Sequence, residues 1–226
     1  MVAFRISQNG GWNGVGPALP LLKAAVAQGL RNAGRGLTEM VGQSIEISSP
    51  EVGLVPVEAI MDRAGGPANP VLAIYLAVSG DISGHLVLLL DLDSAAGLAG
   101  VLLEAPAEQR TFGDGAAERR GLDSMELSAL GEAGNLAGSL VLNALADASG
   151  LKIYPSTPAV VSDMAGAILS SIVADLIISY DEVLLIETGF RGSRDRINGM
   201  FFFLPHLESL HILSEALEKK SCSQNY

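Results

Sequence analysis

The chain contains two similar halves, and this internal repeat constrains its fold more than any other feature. The offset between matching residues is 108 early in the repeat, 112 for the segment from Val71, and 115 for Gly84 and Leu98. Insertions of this size cost little when they fall in surface loops. Two similar halves predict two similar folding units packed together. The matches at an offset of 108 place Gly42, Ile45, Pro50, Val52, Ala59 and Ile60 on Gly150, Ile153, Pro158, Val160, Ala167 and Ile168.

Each half has the pattern of a long helix, a strand, a shorter helix, a two-stranded hairpin and a closing helix. We predict the long helices near 19–41 and 124–148, the second capped by Asp123 with Glu126 and ended by Gly150. The hairpin strands are expected near 71–78, 83–91, 181–189 and 197–204, where β-branched and aromatic residues concentrate. SGDISG interrupts the most apolar region after eight apolar residues, so that region is predicted to form a hairpin and is too short to span a membrane. Six major strands result.

The domain organisation follows from this pattern. We expect one domain over 19–220, made of repeats 19–104 and 122–220 and joined by a charged, glycine-containing linker over 105–121. Residues 1–18 lack the apolar core of an export signal and are predicted to form a flexible arm, while 221–226 should be a disordered tail. With 226 residues, 49% of them hydrophobic, the chain can bury a sizeable core.

Composition excludes several classes of function. The net charge is −11, and the 14 basic residues form no cluster, which disfavours nucleic acid or an anionic membrane as partner. Cys222 is the only cysteine, so an intrachain disulfide or a cysteine metal cage is ruled out, and a reducing cytoplasm is expected. His85, His206 and His211 have no metal-ligand spacing. We therefore predict no metal site.

The second long helix carries a polar face. At about 100° per residue, Ser128, Glu132, Asn135, Ser139 and Asn143 fall within an arc of about 80°. Such a face on a helix commonly indicates nothing more than contact with solvent. The opposite, apolar face is formed by Leu127, Leu130, Ala137, Val141 and Leu145.

This helix resembles the active-site helix of the CheC/CheX/FliY phosphatases, whose pattern is Ser or Asp, three residues, Glu, two residues, Asn. Ser128, Glu132 and Asn135 match it position for position. The resemblance extends through LTEMVGQSIEISSP, GDISGHLVLLL, LNALADASGLKIYPSTPAVVSDMAGAIL and FFFLPHLESLHIL. It implies an α+β fold with a pseudo-twofold internal duplication: a mainly antiparallel six-stranded sheet with the two long helices packed on one face and their polar sides exposed.

The same resemblance implies a function. The family removes phosphate from the aspartyl phosphate of a CheY-like response regulator in chemotaxis, a two-component pathway that controls flagellar motility. In that role Asn135 would position the attacking water, and Glu132 would pair with a lysine of the regulator. The regulator brings its own Mg²⁺, so the resemblance implies a hydrolase with no cofactor of its own. Ser128, Gly131, Ser139 and Leu142 would contact the substrate.

Two parts of this surface have a second interpretation. The helix contains three glycines that either make it thin enough for docking or allow close packing: Gly131, Gly134 and Gly138. Their positions around the helix favour packing for Gly134 and Gly138. For Gly131 both interpretations stay open. Leu142 could equally be buried beneath a loop.

The first long helix lacks the motif. At the offset of 108, Pro20, Ala24 and Ala27 occupy the places of Ser128, Glu132 and Asn135, so this first site is degenerate. That loss motivates an alternative function as a non-catalytic adaptor that binds a regulator or the deamidase CheD. A structural component of the flagellar switch, as in the FliY branch, is the third possibility.

Overall fold

The computed structural model describes residues 18–42, 44–48, 50–105, 121–177, 182–192 and 198–223. The two predicted long helices are confirmed, the second ending one residue later than expected. The first half contains α1 (Leu19–Val41), β1 (Ile45–Ile47), β2 (Glu51–Pro56), α2 (Val57–Arg63), β3 (Pro70–Gly80), β4 (Gly84–Asp91) and α3 (Leu92–Leu102). The second contains α4 (Ser124–Ser149), β5 (Ile153–Pro155), β6 (Ala159–Met164), α5 (Ala165–Ile177), β7 (Glu182–Gly192), β8 (Asn198–Pro205) and α6 (Leu207–Ser223).

All described strands join one antiparallel sheet that both halves share. The hairpins β3–β4 and β7–β8 form its centre through pairing of β4 with β8. The remaining strands cross over: β1 and β2 pair with β7 of the second half, and β5 and β6 pair with β3 of the first. Each half therefore completes the other half's hairpin, and neither half has a complete sheet of its own.

Over the described residues the sheet has eight strands and not the predicted six. In each half the single strand expected after the long helix is divided into a short strand and a six-residue strand, β1 with β2 and β5 with β6. A proline precedes the second piece in both halves, Pro50 and Pro158, and proline cannot donate a hydrogen bond to a strand ladder. The sheet nevertheless remains six positions wide, because both pieces lie along the same neighbour.

Helices cover both faces of the sheet. The larger core lies between the sheet and α1, α3, α4 and α6; the smaller one lies on the other face, beneath α2 and α5. Successive residues of β3 point alternately into the two cores. Leu72 and Ile74 are buried in the larger core, and Val71 and Ala73 are buried in the smaller one. The prediction that the two long helices share one face is confirmed.

The chain ends differ in part from expectation. Helix α6 continues to Ser223, so the predicted disordered tail starts too early: 221–223 are helical because the last turns remain attached to a helix whose Leu217 is buried. The predicted arm, apart from Ala18, lies outside the described residues, as does the linker over 106–120. None of the described helices is long and apolar enough to cross a membrane.

Candidate functional site

Helix α4 is fixed at both ends by its own sequence. The Asp123 carboxylate accepts hydrogen bonds from the backbone N–H groups of Met125 (2.8 Å) and Glu126 (2.9 Å), and the Glu126 carboxylate accepts one from the Asp123 N–H (2.8 Å). This is the predicted capping box. At the other end Gly150 adopts φ = 78°, a left-handed conformation that glycine takes without steric cost.

Two glycines seat α4 directly on the sheet. A Cβ atom at Gly134 would lie 2.5 Å from Ile74 Cγ2, and one at Gly138 would lie 2.3 Å from Leu76 Cδ1. Both distances are far below van der Waals contact, so a larger residue at either position would push the helix away from β3. The packing interpretation of these two glycines is confirmed.

Gly131 also serves packing. It is buried, and a Cβ there would lie 3.2 Å from Val160 Cγ2 on strand β6. Its burial next to β6 favours the packing interpretation, and the contact of Gly131 with a substrate stays a prediction. The helix meets β3 through Gly134 and Gly138 and β6 through Gly131, which leaves its polar face turned outward.

The polar face is accessible along its whole length. Ser128, Glu132 and Asn143 are exposed, whereas Asn135 and Ser139 are half-buried. Asn135 is more enclosed than Glu132 because its angular position is closer to Gly131, where β6 packs. Within the described residues neither Glu132 nor Asn135 makes an intramolecular side-chain hydrogen bond or ion pair.

This arrangement offers two different groups to an incoming molecule. The amide of Asn135 provides one acceptor and two donors, and can therefore hold a water in a defined orientation. The carboxylate of Glu132, almost one turn earlier, provides an anionic contact for a cation. Because neither side chain has a hydrogen-bond partner among the described residues, both are available to an incoming molecule.

Leu142 lies at the edge of this face by its helical spacing, but it is not accessible there. Its exposure is 0%, and it belongs to the main core. The prediction that it contacts a substrate is wrong, because its side chain is enclosed in that core. The exposed apolar residue near the face is Met125, at 66%. Its spacing of three residues before Ser128 is the sequence signal that could have identified it.

The first helix presents a different surface. Pro20 and Ala24 are exposed and Ala27 is half-buried, so the positions equivalent to the motif carry no group that could orient water or bind a cation. Helix α1 packs closely along α4, since a Cβ at Gly29 would lie 2.8 Å from Val141 Cα and one at Gly36 would lie 2.8 Å from Leu140 Cδ1. The later residue of α1 meets the earlier residue of α4 in these two contacts. The two helices are therefore antiparallel.

A hydrogen-bonded chain that includes two of the three histidines lies at the start of β4. His85 Nδ1 is 2.9 Å from the Tyr75 hydroxyl, His85 Nε2 is 3.2 Å from His206 Nε2, and His206 Nδ1 is 3.0 Å from the Ser83 hydroxyl. All four ring nitrogens are thus engaged with protein atoms. Across the part of the chain that the structure describes, no group of three or more potential ligands could hold a metal.

Comparison with known proteins gives one match that centres on α4. A model of the CheC-like family matches residues 125–162, which extend from the first turn of α4 into β6. The CheY-P phosphatase CheC of Bacillus subtilis (strain 168) is 28% identical over 191 residues, covering 84% of this chain and 88% of that protein.

Two solved structures share the fold. The X-ray crystal structure of Thermotoga maritima FliY has a TM-score of 0.67 at 19% identity, covering 91% of this chain and 98% of that chain. A chain of the FliM–SpeE complex from H. pylori has a TM-score of 0.67 at 13% identity, covering 96% of this chain and 98% of that chain. The matched segment contains Ser128, Glu132 and Asn135, and the curated relative and the FliY fold each cover most of the sequence. The chain is therefore similar to the CheC-like family in sequence over α4 and the strands that follow, and to FliY in fold.

Proposed function

We propose that this protein is a phosphatase that hydrolyses the aspartyl phosphate of a phosphorylated CheY-like response regulator in chemotaxis. The observation that carries the proposal is the pair of exposed Glu132 and half-buried Asn135, which lie on one face of α4 without intramolecular side-chain partners among the described residues. The name of the curated relative, a CheY-P phosphatase, supports the same activity.

In the proposed mechanism this chain adds little to what the regulator already contains. Phosphoryl transfer is catalysed chiefly by positioning and by stabilisation of charge. The resemblance implies that the regulator supplies Mg²⁺ and a lysine, so α4 needs only to align the attacking water. Asn135 is suited to this role because a carboxamide both accepts and donates, and does not titrate near neutral pH.

Glu132 has a different role in the proposal. A second carboxylate beside the phosphoryl oxygens would repel them, so Glu132 is expected to face the lysine of the regulator instead. Its exposure and its place almost one turn before Asn135 allow both contacts from a single docked regulator. Ser128 and Ser139 continue the same face and are proposed as secondary contacts.

The first test is the rate of phosphate loss from a phosphorylated CheY-like regulator, measured beside a binding titration. Asn135→Ala should reduce turnover by about a hundredfold or more, the cost of removing one transition-state contact, and leave binding nearly unchanged. Asn143→Ala is the matched control, because it removes an exposed carboxamide from the same face two turns away. Glu132→Lys should weaken both binding and turnover, whereas Asp62→Lys on α2, across the sheet, should change neither.

A non-catalytic adaptor remains the second candidate, because Pro20, Ala24 and Ala27 remove the motif from the first helix. An adaptor would bind the regulator or CheD equally well with and without Asn135. Wild-type protein that binds a regulator but never exceeds the regulator's own rate of dephosphorylation would replace the phosphatase proposal with this one. The chain also shares its fold with FliY. A structural role in the flagellar switch is therefore the third proposal.

A further inference from the structure

An open cavity of about 410 Å³ lies on the face of the sheet opposite α4. Its floor includes Ala73 and Tyr75 of β3, His85 of β4 and Val161 of β6, and residues of α5 form a wall. Ala73 belongs to the smaller core, whereas its neighbour Ile74 belongs to the larger core beneath α4. The cavity is therefore separate from the polar face of α4. Its volume lies within the range of about 300–1,000 Å³ that is usual for ligand sites.

The register of the sheet brings small side chains together at this cavity. Ala159 pairs with Tyr75, and Val161 pairs with Ala73, so all four side chains point to the same face. Ala167 of α5 also lines the cavity. Because three of these five residues are alanines, the side chains that line the space between β6 and α5 do not fill it.

Most of the lining side chains are apolar, and one of them is unusually accessible. Val161 is 45% exposed, although it is a large hydrophobic residue on a strand. On the α5 side of the cavity, Ile168 is buried and Ile172 is half-buried. An apolar ligand that covers Val161 would remove its surface from water, which favours binding.

A carboxylate lies at one end of the cavity. Asp163 is exposed, and it is the only Asp, Glu, Lys or Arg among the described lining residues. Its Oδ1 accepts a hydrogen bond from the Met164 backbone N–H (2.7 Å), and its Oδ2 has no hydrogen-bond partner among the described residues. Val161 precedes Asp163 by two residues, so the two side chains share a face and lie about 7 Å apart along the strand. Since the chain has a net charge of −11, this end favours a cation over an anion.

The opposite end of the cavity is formed by a fixed aromatic ring. The Tyr75 hydroxyl is 2.9 Å from His85 Nδ1, and His85 Nε2 is 3.2 Å from His206 Nε2. His85 is only 9% exposed, so the group that holds Tyr75 is itself enclosed. The Tyr75 ring is therefore a preformed contact for an apolar ligand.

We propose that this cavity binds a small organic cation: an amine whose ammonium group pairs with Asp163 and whose aromatic or branched aliphatic body lies between Val161 and Ile168. The single carboxylate selects the charge, and the apolar walls select the body. The inference does not depend on the proposed phosphatase activity, because the cavity and the polar face of α4 lie on opposite sides of the sheet.

The test uses three probes that share a phenyl ring and differ in charge: 2-phenylethylamine, 2-phenylethanol and 3-phenylpropanoate. Binding is followed by NMR titration of the isotopically labelled full chain. We expect the amine to bind about two- to fivefold more tightly than the alcohol, the range for an ion pair that stays partly exposed. The propanoate should bind more weakly than both. The backbone amide signals that shift should belong to β6 and α5.

Substitutions test the two parts of the site separately. Asp163→Asn should remove the preference for the amine over the alcohol, whereas the matched control Asp147→Asn, at an exposed position on α4, should keep it. Ala159→Leu should weaken the binding of both probes by about tenfold or more, because the larger side chain occupies the space that the phenyl ring needs. Ala167→Leu fills the same cavity from α5 and should have the same effect. Urea unfolding verifies that each variant is folded.

Several outcomes would overturn the inference. These are equal affinities of wild type for the three probes, affinities unchanged in Asp163→Asn and in both leucine variants, and absence of binding at millimolar concentrations of each probe. Self-association of the chain that Ala159→Leu abolishes would assign the cavity to a second copy instead. Absence of phosphatase activity would affect none of these results, and Asn135→Ala should bind the amine as wild type does.

Discussion

Replacing Gly29 with alanine tests the close packing of α1 on α4. The new Cβ would lie 2.8 Å from Val141 Cα, 3.0 Å from Val141 O and 3.0 Å from Ala144 Cβ. Backbone atoms in the middle of a buried helix cannot move aside alone, so the helices must separate. Overpacking of this kind costs about 1–3 kcal/mol, and alanine recovers up to about 1 kcal/mol in helix propensity. We expect a net destabilisation of about 1–2 kcal/mol.

Gly36→Ala is the matched control on the same helix. Its Cβ would meet Leu140 Cδ1 at 2.8 Å, but this atom is the end of a flexible side chain, and Gly36 is only half-buried. The side chain can rotate away, so the gain in helix propensity should leave this variant as stable as wild type or more so.

The assay is urea unfolding followed by circular dichroism, with free energies from the midpoint and slope. For a chain of this size each kcal/mol corresponds to a shift of about 2–4 °C in Tm. A Gly29→Ala variant that is as stable as Gly36→Ala would refute the close backbone contact between α1 and α4.

Three further predictions use the same unfolding assay. Leu142→Ala should destabilise the fold by about 2–5 kcal/mol because it opens a cavity in the main core; a cost below about 1 kcal/mol would place Leu142 at the surface after all. Asp123→Ala should cost about 1 kcal/mol, because two N–H groups at the start of α4 lose their acceptor; no change would mean that the capping box is not needed for the helix. Arg63→Met should cost less than about 1 kcal/mol, since its ion pair with Glu187 is partly exposed; a larger loss would show that this pair contributes more than an ordinary surface bridge.

Local signals in the sequence predicted most of the secondary structure. The caps of α4 could be read directly, since Asp123, Glu126 and Gly150 act on neighbouring backbone groups. The hairpin turn was predicted by SGDISG for the same reason. The division of each edge strand was missed, although Pro50 and Pro158 stand at equivalent places in both halves and mark it.

The candidate site was predicted in part. Helical periodicity alone placed Ser128, Glu132 and Asn135 on one face, because the geometry of a helix does not depend on what packs against it. Periodicity could not say how far the neighbouring elements cover the edges of that face. Gly131 and Leu142 lie at one such edge, and both proved to be buried.

The sequence by itself determined the elements, their caps and the common face of the motif residues, because each of these depends on contacts within a few residues along the chain. Only the tertiary structure decided that each half completes the other's hairpin, that β6 covers Gly131, and that α1 lies antiparallel along α4. These features depend on contacts between residues far apart in sequence, where the closeness of two backbones at Gly29 and Val141 has no local signature.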